Sequence, residues 1–287
     1  MSLVPAPQPL GLPPDWEEYI LPTPYRAGSP RLVIRRRFLS RELRNYRDLI
    51  VALPPSYQNG GGRSYPVIYM HDGQNLFDPA TSYAGDWDLV ETVRDLAQEA
   101  VEAIIVGIPN PGLKRRYEYS PFRNVIHGGG GGDRYLAFVM ETVKPYIDRS
   151  FRTKPDGANT VMAGSSLGGL ITLYAWYRHP DVFGSAGVLS PALWFADGSI
   201  LRYVEGRIPP SGRLYLDIGT DEGVDAVADA RSLRDILIRS GLVPDQTLRY
   251  VEEIGGDHDE EAWGRRFRHA LPWLLSTEPA GPRPDPL

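Results

Sequence analysis

From residue 67 to residue 254 the chain alternates short apolar runs with stretches of helical periodicity, and that alternation limits the folds open to it. The runs are 67–70, 103–108, 160–163, 185–189, 214–218 and 247–254. Helical patterns fall at 86–99, 133–149, 167–178, 192–204, 224–240 and 259–275. Each apolar run is short enough for a buried strand, and the helical stretches are long enough to serve as crossovers between parallel strands. The chain therefore reads as α/β, with a mostly parallel sheet and helices on both faces.

Two earlier segments, 32–38 and 46–53, read as antiparallel strands, the second closed by Pro54 and Pro55. Their charged residues place them at a sheet edge. An antiparallel start followed by the strand and helix series is the element order of an α/β-hydrolase fold. No linker or internal repeat interrupts residues 15–277, which read as one domain; proline-rich 1–14 and 278–287 read as tails.

Within this frame the stretch "VMAGSSLGG" (161–169) carries the chemistry. Only Ser166 has glycine two residues before and two after it, in Gly164-Ser165-Ser166-Leu167-Gly168. A serine at a sharp strand-to-helix turn sits in a strained backbone that tolerates only small neighbours. The run 160–163 supplies the strand. The segment 167–178, apolar on nearly every side, supplies a helix that has to be buried. It ends at His179-Pro180, because proline disfavours helical geometry in the residue before it. Ser166 is the expected nucleophile.

A serine hydroxyl needs a base, and the base needs a group to orient it. Of five histidines, His258 lies between the last strand and the last helix, on a loop able to cross over the serine. His71, His127, His179 and His269 read as strand-end, loop, helix-end and helix-surface residues. The acid is expected after the penultimate strand, where Asp221 and Glu222 both stand; Asp217 lies inside the strand. Either candidate, Asp221 or Glu222, also suits the cap of the helix near Val224. An oxyanion needs backbone N–H donors. Leu167, following the nucleophile, is one, and the segment Asp72, Gly73, Gln74 is expected to give another.

Composition bounds the alternatives. With no cysteine, disulfides, thiolate metal sites and a cysteine nucleophile are excluded. A net charge of -5 gives no reason to expect nucleic acid or an anionic membrane as partner. No apolar run reaches membrane-spanning length, and residues 1–14 lack the basic and apolar regions of a signal peptide, so the cytoplasm is expected. Asp72, Asp86, Asp88 and His71 lack a metal-ligand spacing, so neither metal nor cofactor is expected. Oligomeric state is not legible.

The stretches "PVIYMHDGQNLFD" (66–78), "GIPN" (107–110), "RRYEYSP" (115–121), "AGSSLGGL" (163–170), "LYLDIGTDEG" (214–223) and "GGDHDEEAW" (255–263) together resemble the esterase D and enterochelin esterase branch of the α/β-hydrolases. The resemblance implies a serine carboxylic ester hydrolase acting on a small-molecule ester. It places the acid on Glu222, in a Gly-x-x-Asp/Glu arrangement, with Asp221 second. It leaves open an acyltransferase to a sugar or alcohol, and a non-catalytic ligand-binding module. Arg115, Arg116 and Arg123 beside Tyr117 and Tyr119 are candidates for holding an anionic or aromatic substrate, with Trp194 and Phe195 as a wall. Gly128 to Gly132 reads as a mobile loop, with Asp133 capping the next helix.

Overall fold

The computed structural model describes residues 11–22, 26–59 and 61–276. The tail expectation for 1–10 and 278–287 lies outside the described residues; residues 11–13 are neither helix nor strand. The strands are β1 (Glu17–Glu18), β2 (Arg31–Ser40), β3 (Asn45–Leu53), β4 (Val67–His71), β5 (Ile104–Ile108), β6 (Arg123–Asn124), β7 (Gly128–Gly129), β8 (Thr160–Ser165), β9 (Ser185–Leu189), β10 (Arg213–Gly219) and β11 (Leu248–Glu253). The helices are α1 (Leu89–Gln98), α2 (Arg115–Glu118), α3 (Gly132–Ala137), α4 (Lys144–Ser150), α5 (Leu167–Arg178), α6 (Phe195–Val204), α7 (Val224–Arg239) and α8 (Glu260–Leu275).

Nine strands form one sheet in the order β1-β2-β3-β5-β4-β8-β9-β10-β11. The first three pairings are antiparallel and the rest parallel. Strands buried on both faces read as continuous apolar runs, which is why β4, β5, β8 and β9 were legible. Alternate residues of β4 enter opposite apolar layers. Val67 and Tyr69 join α5 to α7, while Ile68 and Met70 join α1 and α8. This is the fold of an α/β-hydrolase, with helices on both faces.

The antiparallel pair lies at one side of the sheet, where β2 is covered only by the two-residue β1, but only β2 has an open edge. β3 is interior, between β2 and β5, and its Arg47 is buried against Glu118 through two hydrogen bonds of 2.9 Å. A charge that reads as edge decoration instead anchors α2 from inside. Asp133 does not cap α3, which starts one residue earlier at Gly132; its Oδ1 accepts from Tyr174 Oη at 2.9 Å. Gly128 and Gly129 pair with Asn124 and Arg123 as a hairpin. α6 begins at Phe195, three residues later than its apolar pattern, and turns through left-handed Ala196, Asp197 and Gly198.

The strand order positions the site. β5 lies on one side of β4 and β8 on the other, so chain direction across the sheet reverses between β4 and β8. In open parallel sheets a crevice forms outside the carboxyl ends at such a reversal. Asp72 follows β4 and Ser166 follows β8.

Candidate active site

β8 turns into α5 at Ser166, whose φ of 57° and ψ of -121° hold it in a conformation that L residues rarely adopt. Its N–H donates to Leu189 O at 3.0 Å, and its carbonyl accepts from Leu170 N and Ala192 N at 3.1 and 2.9 Å. The flanking glycine is a packing requirement. A Cβ on Gly164 would lie 2.7 Å from His71 Cδ2. His71 is therefore the floor of the turn. Burial pushes its pKa down to about 3, keeping it neutral, and Nδ1 lies 2.7 Å from Tyr135 Oη. Ser165, the other serine, is buried.

His258 precedes Asp259, whose Oδ1 caps α8 by accepting from Ala262 N at 2.9 Å. Its Nδ1 is 2.6 Å from Glu222 Oε2, and its ring stands edge-on to Trp263 at 4.8 Å. The imidazole is 45% exposed and the carboxylate 2%. Burial opposes ionisation of Glu222, but hydrogen bonds with His258, Ser190 Oγ and Gly219 N outweigh it and hold the carboxyl below its ordinary range. Asp221 is exposed, its carboxylate near Thr220 Oγ1 at 3.3 Å. Neither acid caps α7: its N-cap is Gly223, and Glu222 instead accepts from Gly219 N at 2.8 Å.

Behind Glu222 lies a polar cluster that the sequence did not announce. Ser190 Oγ lies 2.5 Å from Glu222 Oε1 and accepts from Arg266 Nη2 at 2.7 Å and Trp263 Nε1 at 3.1 Å. Arg266, itself buried, stands 3.3 Å from Glu222, 3.2 Å from Asp217 and 2.9 Å from Glu253. Burial pushes Asp217 up to about 7, with Arg266 pulling the other way. The available signal was Arg266's place on the apolar stripe 263, 267, 270, 271 of α8, since a charge there enters the core and needs partners.

Asp72 follows β4 with a left-handed φ of 53°. Its N–H donates to Tyr119 Oη at 3.0 Å and is therefore occupied, which corrects the expectation that Asp72 is free to meet an oxyanion. Its carboxylate takes two 2.8 Å bonds from Arg115 and one of 2.6 Å from Asn110 Nδ2. Gly73 and Gln74 open a tight turn, Gly73–Asn75, and Leu167 opens α5. First-turn N–H groups lack partners within their own helix, so these three amides are the available donors. A Cβ on Gly73 would lie 2.4 Å from Gly107 C, so the turn admits only glycine.

Ser166, His258, Asp72, Gln74, Arg115 and Trp263 all line one cleft of about 740 Å³. The four expected substrate contacts separate. Arg115 reaches the cleft, but Asp72 occupies the Nε and Nη2 edge of its guanidinium. Arg116, a third of a helical turn on, faces a different groove. Tyr119 is fully buried and serves Asp72. Trp194 is 58% exposed and stands edge-on to His127, away from the cleft lining. His179 ends α5, and His269 is exposed on α8. Among the described residues, no group of histidine, aspartate and glutamate is placed to hold a metal ion, and no helix is long and apolar enough to cross a membrane.

A sheet of this order with a serine strained at the carboxyl end of β8 defines the α/β-hydrolase class. Residues 40–274 match the family model described as "Putative esterase", and the chain belongs to that family. It is a carboxylic ester hydrolase. It is similar to the uncharacterized protein YbbA of Bacillus subtilis, 26% identical over 82% of this chain and 95% of that one. It is also similar to the siderophore enterobactin esterase of Emericella nidulans, 26% identical over 54% and 58% of the two chains. Among solved structures, the siderophore hydrolase EstA of Aspergillus nidulans superposes with a TM-score of 0.67 at 20% identity, over 90% of this chain and 98% of that one.

Proposed function

We propose that Ser166, His258 and Glu222 form the catalytic triad of a serine esterase. The observation that carries this reading is the 2.6 Å contact between His258 Nδ1 and Glu222 Oε2 beside the cleft that Ser166 enters with positive φ. Donation of Nδ1–H to the carboxylate fixes the tautomer and leaves Nε2 as the base.

Nε2 takes the Ser166 proton as Oγ bonds to the ester carbonyl carbon. The resulting oxyanion is held by the N–H of Leu167 and those of Gly73 and Gln74. Collapse breaks the bond to the alkoxy group, which leaves with the proton from His258, and an acyl-enzyme remains. Water, deprotonated by the same nitrogen, releases the acid and restores Ser166. The named side chains and amides suffice for both half-reactions.

Relatives named as siderophore enterobactin esterase and siderophore triacetylfusarinine C esterase support a siderophore ester as the substrate class. The test is hydrolysis of a chromogenic panel, from acetyl to long-chain and aromatic acyl esters, by wild type and Ser166→Ala. Loss of turnover and of fluorophosphonate labelling in the variant supports the assignment; retention of both sinks it. Product analysis with added alcohol separates hydrolysis from acyl transfer.

A further inference from the structure

The segment 112–117 is a ridge between two concavities. Gly112 and Arg115 face the cleft, whereas Leu113, Arg116 and Tyr117 face a groove of about 530 Å³ on its other side. The far wall of that groove is Arg123, His127 and the backbone of Gly128 to Gly130, from the β6–β7 hairpin.

Two properties of this groove bear on what it can bind. The first is uncompensated charge. Arg115 is tied bidentately to Asp72, but no hydrogen bond or ion pair engages the guanidinium of Arg116 or Arg123 among the described residues. No carboxylate lines the groove, in a chain of net charge -5. The second is exposed apolar surface. Leu113 and Val125 are fully exposed, Ile126 is 85% exposed, and Trp194 and Tyr117 are exposed as well. Leu113 and Tyr117 line the groove, Val125 and Ile126 form the hairpin tip leading to His127, and Trp194 stands edge-on to His127 at 5.7 Å. Single exposed apolar residues need no explanation, but a cluster of them around a concavity marks a binding surface.

We infer that this groove binds an amphiphilic anion: an aryl or alkyl body ending in a carboxylate or sulfonate. A planar guanidinium matches such an oxyanion bidentately and is weakly hydrated, so it tolerates apolar surroundings. A simple inorganic anion would leave the apolar rim unused, and a neutral lipid would leave the cations unused. The ligand is either the far end of the substrate, reaching over the ridge, or a separate effector. The substrate alternative rests on the function proposed above; the site itself does not.

The binding test therefore avoids turnover. Full-length Ser166→Ala protein is titrated calorimetrically with naphthalene-2-sulfonate, naphthalene-2-sulfonamide and inorganic sulfate. Sulfonate binding at least ten-fold tighter than either control is expected. It should weaken at least ten-fold in Arg116→Gln/Arg123→Gln and in Val125→Ser/Ile126→Ser, with melting temperatures preserved. Equal binding of sulfate or of the sulfonamide overturns the inference, as do unchanged affinities in both variants. Capture by phosphatidylglycerol vesicles without binding of the free sulfonate also overturns it, in favour of a lipid surface.

The two sources are then distinguished with wild-type enzyme. If the ligand is part of the substrate, an ester bearing a terminal sulfonate shows kcat/KM about ten-fold above its neutral analogue, and the arginine variant abolishes only that preference. If it is an effector, free sulfonate changes turnover of the neutral ester. Should no ester be cleaved, the proposed function fails and the calorimetric result stands by itself.

Discussion

Arg266 Nη2 lies 3.3 Å from Glu222 Oε1, on the side of the carboxylate opposite His258. Both side chains are almost fully buried, so the field of the guanidinium acts on the acid with little screening by water. Arg266→Met removes that charge and leaves Asp217, Glu222 and Glu253 without their shared cation. Losing the cation makes the potential at the proposed triad more negative and favours the protonated forms there, so the acid limb of kcat/KM, which reports loss of the free base, moves upward. Breaking a buried pair also costs stability, about 3–5 kcal/mol. A pH-rate profile beside thermal unfolding checks both; an unmoved acid limb would show that Arg266 only supports the fold.

Glu222→Gln keeps the shape but loses the charge that, in the proposed triad, steadies the imidazolium. We expect kcat to fall by about 10²–10⁴. The folded pKa of Glu222 is depressed, so its contribution is complete above the ordinary carboxyl value and is lost as pH falls through the folded value. The wild type should therefore exceed the variant in stability at pH 7. That gap should close in strongly acidic buffer, as urea titrations at both pH values would reveal.

Tyr119 Oη holds the N–H of Asp72, the residue from which the Gly73–Asn75 turn departs. Tyr119→Phe strands that buried N–H, costing about 1–3 kcal/mol, and loosens the turn that presents the Gly73 and Gln74 amides. The expected outcome is a fall in kcat of about 10-fold with KM within two-fold, because the oxyanion forms only in the transition state. Steady-state kinetics decide it, and a change in KM alone would count against this role.

Two glycine substitutions should differ in severity. Gly164→Ala meets the side chain of His71, which can shift, and should cost about 1–3 kcal/mol. Gly73→Ala meets backbone of Gly107 and Ile108, which cannot, and should destabilise more. Thermal melts of the two variants give the ranking directly.

The sheet, the buried helix after Ser166 and the chain order Ser166, Glu222, His258 were legible in the linear sequence. These rest on local signals: apolar periodicity, glycine spacing and position relative to strand ends. Short elements escaped it, since α2 and the β6–β7 hairpin are too brief to show a period. So did every assignment that depends on what a side chain meets across the fold. Arg115, Arg116, Tyr119 and Trp194 look alike as loop residues, yet one is bound to Asp72, one faces a second groove, one is buried and one points to solvent. The contacts of Glu222 with His258 and Ser190, and the convergence of Ser190, Asp217 and Arg266, likewise depend on the three-dimensional packing. Burial removes water as the alternative partner, and the pairing of a polar group then depends on residues distant in the chain.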